Sequence, residues 1–166
     1  MSEFTPEEIL RILDKHEVRY VLIGGLAATF YGSVTPTFDV DITPEMTMAN
    51  LARLSAALTE LDARIRIEGI PDGLPFSHDA TSLMGITTLN VVTKFGPLDL
   101  ATQPAGVTSF ADWDAGARDL IISGIRIRLA GLADIVRSKE AANRDKDKAQ
   151  LPLLRSLLER LRRRAE

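Results

Sequence analysis

Three aspartates stand where a sheet could bring them to chemistry. Asp39 and Asp41 flank Val40 in the run Phe38–Ile42, whose composition reads as a β-strand. Side chains alternate across a strand, so residues two apart share a face. Asp39 and Asp41 are therefore expected to project together, with Phe38, Val40 and Ile42 towards the core. Two like charges side by side repel, and a sheet gains nothing from them unless a cation lies between. Asp99, bracketed by Leu98 and Leu100, forms a second acidic strand. The phase that buries the two leucines turns Asp99 to the opposite face. If the two strands are neighbours, three carboxylates converge. Magnesium suits such a set, because it takes hard oxygen ligands in octahedral geometry and keeps positions open for phosphates. Two-metal phosphoryl or nucleotidyl transfer needs this arrangement, with ions ~3.5–4 Å apart serving the attacking oxygen and the leaving pyrophosphate.

A second feature lies upstream. Arg19–Ile23 reads as a buried strand, Gly24-Gly25 breaks it, and Leu26–Tyr31 reads as a short helix ended by Gly32. Glycines at the start of a helix let a phosphate approach backbone N–H groups, and the helix dipole favours the anion. Thirteen residues, 26 to 38, separate Gly25 from Asp39. Other candidates have blander readings. His16 and His78 lack partners at ligand spacing, and Arg144 with Asp147 reads as a surface ion pair. Trp113 is expected to pack a helix with its N–H near the surface.

The elements that must position these residues follow from periodicity. Thr5-Pro6-Glu7-Glu8 reads as a capping box opening a helix that ends near His16. Met46–Leu61 carries Leu51, Leu54, Leu58 and Leu61 on one stripe. Residues 69–84 show no clear period and read as an irregular loop. Thr87–Val92 and Leu98–Ala101 are expected to pair through the turn at Lys94-Phe95-Gly96-Pro97. Ser109 caps a helix through Ala117, and Ser123-Gly124 joins a second hairpin ending at Leu129. Helices over roughly Leu132–Asn143 and Lys146–Arg163 finish the chain. The expectation is one α+β domain over residues 1–166, with a core at about 18–130 and C-terminal helices at about 131–163.

Bulk properties exclude several classes. The chain of 166 residues has no cysteine, so disulfides, thiolate zinc sites and cysteine nucleophiles are ruled out. Its longest apolar stretch, Tyr20–Gly32, is far short of the ~20 residues that span a bilayer, and the N-terminus lacks a basic leader. A cytoplasmic protein is expected. The net charge of -3 excludes whole-protein electrostatic binding of nucleic acid. Arg155, Arg160, Arg162, Arg163 and Arg164 form a basic, solvated helix end. The apolar stripe of the last helix is wide enough for a partner as well as the core.

Ile23-Gly24-Gly25 followed by Asp39-Val40-Asp41-Ile42 resembles the signature of the DNA polymerase β-like nucleotidyltransferase superfamily. Asp99 matches the family's later single acid, and Thr37 matches a threonine often found two before the first acid. The segment Ala130–Lys139 is similar to a helix in bacterial members where a lysine, here Lys139, approaches the nucleotide. Arg144-Asp145-Lys146-Asp147 matches the charged run that follows it. The resemblance covers roughly residues 18–150 in scattered blocks and is nearest to stand-alone and minimal bacterial nucleotidyltransferases, including AbiE-type toxins. Such members often carry an arginine four residues before the first acid, where this chain has Thr35.

That resemblance implies a mixed sheet flanked by helices, Mg²⁺ on Asp39, Asp41 and Asp99, and an NTP placed by Gly24, Gly25, Thr37 and Lys139. The implied activity is transfer of NMP to an acceptor hydroxyl on RNA, a tRNA end, a protein or a small molecule such as an aminoglycoside. A toxin–antitoxin role with a cognate antitoxin follows from the same resemblance. The alternative is a nucleotide-sensing or partner-binding module with little turnover. Hydrolysis by a carboxylate pair, as in glycosidases, fits poorly, because it needs acids facing one another across a cleft.

Overall fold

A computed structural model describes residues 3–104, 106 and 109–166. The strands are β1 Tyr20–Ile23, β2 Val40–Pro44, β3 Arg64–Ile67, β4 Ile70–Leu74, β5 Thr88–Thr93, β6 Gly96–Ala101, β7 Arg118–Ile122 and β8 Ile125–Leu129. The helices are α1 Pro6–Lys15, α2 Gly24–Thr29, α3 Met48–Glu60, α4 Ala80–Met84, α5 Phe110–Gly116, α6 Leu132–Ala142 and α7 Asp145–Ala165. All eight strands join one mixed sheet in the order β4-β3-β5-β6-β2-β1-β8-β7. The β2–β6 and β1–β8 pairs are parallel, and the remaining pairs are antiparallel.

The centre of the sheet sets the geometry. Val40 pairs with Leu98, Asp41 with Asp99 and Ile42 with Leu100. Val40, Ile42, Leu98 and Leu100 are buried in one core with Ile9 and Leu13 of α1 and Leu51, Leu54 and Leu58 of α3. Each such side chain contributes about 1.5–3 kcal/mol when removed from water. Burial of the flanking residues therefore fixes the phase of both strands, and the aspartates take the other face.

One buried polar residue ties the helix layer to the strand ends. The Asn50 side chain donates to the carbonyls of Arg19, at 2.7 Å, and Glu45, at 2.8 Å. It accepts from the Arg19 N–H at 2.7 Å. The entry of β1 and the exit of β2 are thereby pinned to α3.

Several expectations need correction. Phe38 does not face the core but is 74% exposed. The ladder begins only at Val40, so Phe38 has no neighbouring strand to pack on, and Asp39 lies at the bend just before β2. Residues 69–84 are not an irregular loop. They hold β4 and α4, five-residue elements too short to show a period, and Gly69 turns β3 into β4 at φ +82°. No capping box opens α1: the Thr5 hydroxyl makes no cap bond, and Glu7 and Glu8 engage Arg11 instead. The short helix starts at Gly24 itself, with both glycines in its first turn. Trp113 is fully buried, and its indole N–H has no hydrogen-bond partner among the described residues. No helix among them is long and apolar enough to cross a membrane.

Candidate active site

Asp39, Asp41 and Asp99 converge. Each offers a carboxylate oxygen, and these oxygens lie within 4.8 Å of one another. Asp41 and Asp99 are direct partners across the parallel β2–β6 pair, and Asp39 joins them from the turn ahead of β2. Thr37 shapes that turn, its hydroxyl donating to the Asp39 carbonyl at 3.1 Å.

The electrostatics of the cluster are unfavourable on their own. Burial, with Asp39 and Asp99 beside it, pushes the Asp41 carboxyl from its ordinary 3.8 up to about 7, against the pull of Lys146 and Lys139. Burial also lifts Asp99 to about 6; Arg66 pulls it down, and the contact with the Asp39 carboxyl pushes it up. A polyvalent cation removes this penalty by replacing the lost hydration with direct ligation. Three carboxylates with no intervening base or thiol form an all-oxygen donor set, which fits magnesium.

Gly24 has a tighter reason to be glycine than phosphate approach alone. Its φ is +75°, and a Cβ there would lie 2.3 Å from Asp41 Oδ2. β1 pairs with β2 through Ile23 and Asp41, so the chain turns into α2 directly against the carboxylate. Gly25 is less constrained, since a Cβ there would meet only Thr37, at 3.6 Å.

Basic side chains approach from two sides. On one, Lys139 of α6 is buried, with its Nζ 3.7 Å from Asp147. Asp147 is fully buried and accepts from the Arg144 guanidinium at 2.7 Å and from its backbone N–H at 3.1 Å. The expected surface pair is therefore a brace across the α6–α7 junction, and it holds Lys139, Arg144 and Lys146 within electrostatic reach of Asp41. On the other side, Arg66 of β3 donates to Asp99 at 2.6 Å. Sequence reasoning missed Arg66, because it lies thirty-three positions before its partner and β3 carries no motif. His78 stays outside the cluster, its Nδ1 2.7 Å from the Ser55 hydroxyl.

Chains of known structure share this architecture. The lincomycin-bound lincosamide antibiotic adenylyltransferase LnuA is 15% identical, with 94% of this chain and 99% of that chain covered at a TM-score of 0.61. ANT(2″)-Ia, solved in complex with adenylyl-2″-tobramycin, is 18% identical over 97% of both chains at 0.55. TM1012 of Thermotoga maritima, a proposed nucleotidyltransferase, is 14% identical over 96% of this chain and 97% of that chain, also at 0.55. The chain has the nucleotidyltransferase fold. No protein-family model matches it, and no curated protein matches it in sequence.

Proposed function

We propose that this protein is a Mg²⁺-dependent nucleotidyltransferase that moves NMP from an NTP to an acceptor hydroxyl. The observation that carries the reading is the convergence of Asp39, Asp41 and Asp99, an arrangement that costs free energy unless cations occupy it. Magnesium bound there would supply charge neutralisation at the phosphates and at the attacking oxygen. Gly24 and Gly25 let the phosphates approach the backbone beside Asp41, and Thr37 holds the turn that presents Asp39. Lys139, with Arg144 and Lys146, supplies positive charge on the triphosphate side and stands in for the arginine absent at Thr35.

In the reaction the acceptor oxygen bonds to the α-phosphorus as the bond to its bridging oxygen breaks, and pyrophosphate leaves. Asp99 receives the hydroxyl proton. The rate gain comes from positioning and charge stabilisation, with no covalent enzyme intermediate. Acceptors consistent with this chemistry include an RNA or tRNA end, a protein hydroxyl and an antibiotic such as those named for LnuA and ANT(2″)-Ia. A toxin–antitoxin role rests on the sequence resemblance alone.

One observation favours a second reading, a nucleotide-sensing module with little turnover. Arg66 already occupies Asp99, which lowers the pull of that carboxylate on a metal. The two readings separate when the protein is incubated with Mg²⁺, each α-labelled NTP and mixed RNA, protein or antibiotic acceptors. The enzyme reading expects label on one acceptor class, lost in Asp41→Ala. Absence of label on every acceptor, with Mg²⁺-dependent NTP binding intact, would select the sensing module.

A further inference from the structure

Of the three clustered carboxylates, one already carries a cation. Arg66 Nη2 donates to Asp99 Oδ1 at 2.6 Å, a close charge-assisted bond. Among the described residues Asp39 and Asp41 form no such pair, and Lys139, Lys146 and Arg144 act on them only at longer range. The cluster is therefore asymmetric, with two open acids and a third whose charge is already balanced.

The sheet register builds this contact. β3 pairs with β5 through Arg64 and Val92, then Ile65 and Val91, and the next step sets Arg66 opposite Asn90. Asn90 in turn pairs with Asp99. Directly paired residues share a face, so Arg66, Asn90 and Asp99 form a row across three strands. The β3–β4 register shifts between Ile65 and Ile67, on either side of Arg66, and an irregularity of this kind re-aims a side chain. Crossing β5 spans two strand spacings, roughly 9.5 Å, which calls for a side chain as long as arginine.

The chemistry of the pair decides what it does. A guanidinium stays charged at every working pH and is weakly hydrated, so it gives up little solvent on meeting a half-buried carboxylate. Magnesium dehydrates reluctantly and would have to displace it. As a mere tie for the edge hairpin the pair would contribute little, since exposed ion pairs are weak and the β5 ladder already holds β3.

Resting on the nucleotidyltransferase reading above, we propose that this site takes one magnesium ion, on Asp39 and Asp41, and that Arg66 stands in for a second at Asp99. Arg66 is a positioning residue. It holds Asp99 through Oδ1 and leaves Oδ2 to receive the proton of the acceptor hydroxyl. The Arg66–Asp99 contact then belongs to a working site.

The test counts ions, with Mn²⁺ as the probe and the resonance of free Mn²⁺ as the readout. The wild type should bind one Mn²⁺ per chain, and Asp41→Ala should lose it. Arg66→Ala, on an exposed stretch of β3, should bind two at a concentration that saturates the wild type. Arg66→Gln, which keeps most of the length without the charge, should do the same, and Arg66→Lys should return the count to one. In Arg66→Ala the two bound ions should also couple magnetically, because they would lie ~3.5–4 Å apart. Adding Asp99→Asn to Arg66→Ala should remove the second ion, a result that a purely structural role for Arg66 would not produce. Two ions in the wild type, one ion in Arg66→Ala and Arg66→Gln, or a second ion that survives Asp99→Asn each overturn this proposal alone. A wild type that binds no Mn²⁺, or binding undiminished in Asp41→Ala, overturns the underlying reading instead.

Discussion

Replacing a supposed catalytic acid should make this protein more stable. Without metal, Asp41 is held at about 7 instead of 3.8 because its charged form is desolvated and repelled by Asp39 and Asp99. A carboxyl raised on folding contributes its stability below the unfolded value and loses it as pH rises through the folded one. The penalty therefore grows between pH 4 and pH 7 and is full by pH 8. At about 1.4 kcal/mol per tenfold in the equilibrium, it is on the order of 4 kcal/mol for the charged group, shared with its neighbours. Asp41→Asn keeps the shape and removes the charge. For a chain of this size about 1 kcal/mol shifts Tm by roughly 2–4 °C. In EDTA at pH 8 the variant should thus melt several degrees above the wild type, and at pH 4 the two should coincide. Mg²⁺ should raise the wild-type Tm at pH 8 and leave the variant nearly unmoved. Scanning calorimetry with and without Mg²⁺ reads all of these. If the variant melts lower at pH 8, or if Mg²⁺ shifts both proteins equally, the account of Asp41 as a strained metal ligand is wrong.

Other outcomes follow from single contacts. Gly24→Ala puts a methyl group 2.3 Å from Asp41 Oδ2 at a φ that costs an L-residue about 1–2 kcal/mol, so it should cut Mg²⁺ affinity at least tenfold by titration calorimetry. Gly25→Ala, which meets only an ordinary contact with Thr37, should leave metal binding near wild type. Asn50→Ala strips partners from two carbonyls and one N–H, and should lower urea-unfolding stability by on the order of 3 kcal/mol without changing the metal titration. Lys139→Met should weaken NTP binding several-fold in fluorescence titration while Mg²⁺ binding without nucleotide persists, since Arg144 continues to hold Asp147.

The acids were legible because strand chemistry is local. Leu98 and Leu100 around Asp99, like Val40 and Ile42 around Asp41, state which way each carboxylate points before any partner is known. Gly24 was legible for the same reason, as a break between a buried strand and a helix. Phe38 misled because alternation records the phase of a strand but not where its ladder ends. The short β4 and α4 escaped notice because five residues complete too little of a period to be told from a loop.

What lay beyond local pattern was adjacency. That β2 lies beside β6, so that Asp41 meets Asp99, is a property of the whole sheet order. The same holds for Arg66 reaching Asp99 from β3, for Asn50 gathering the ends of β1 and β2, and for the α6–α7 brace that buries Asp147. Each joins segments whose own sequences carry no trace of the other. A side chain's facing is set by the burial of residues one or two positions away. Its neighbour is set by how every strand and helix packs at once, a balance of burial and chain entropy summed over the whole molecule.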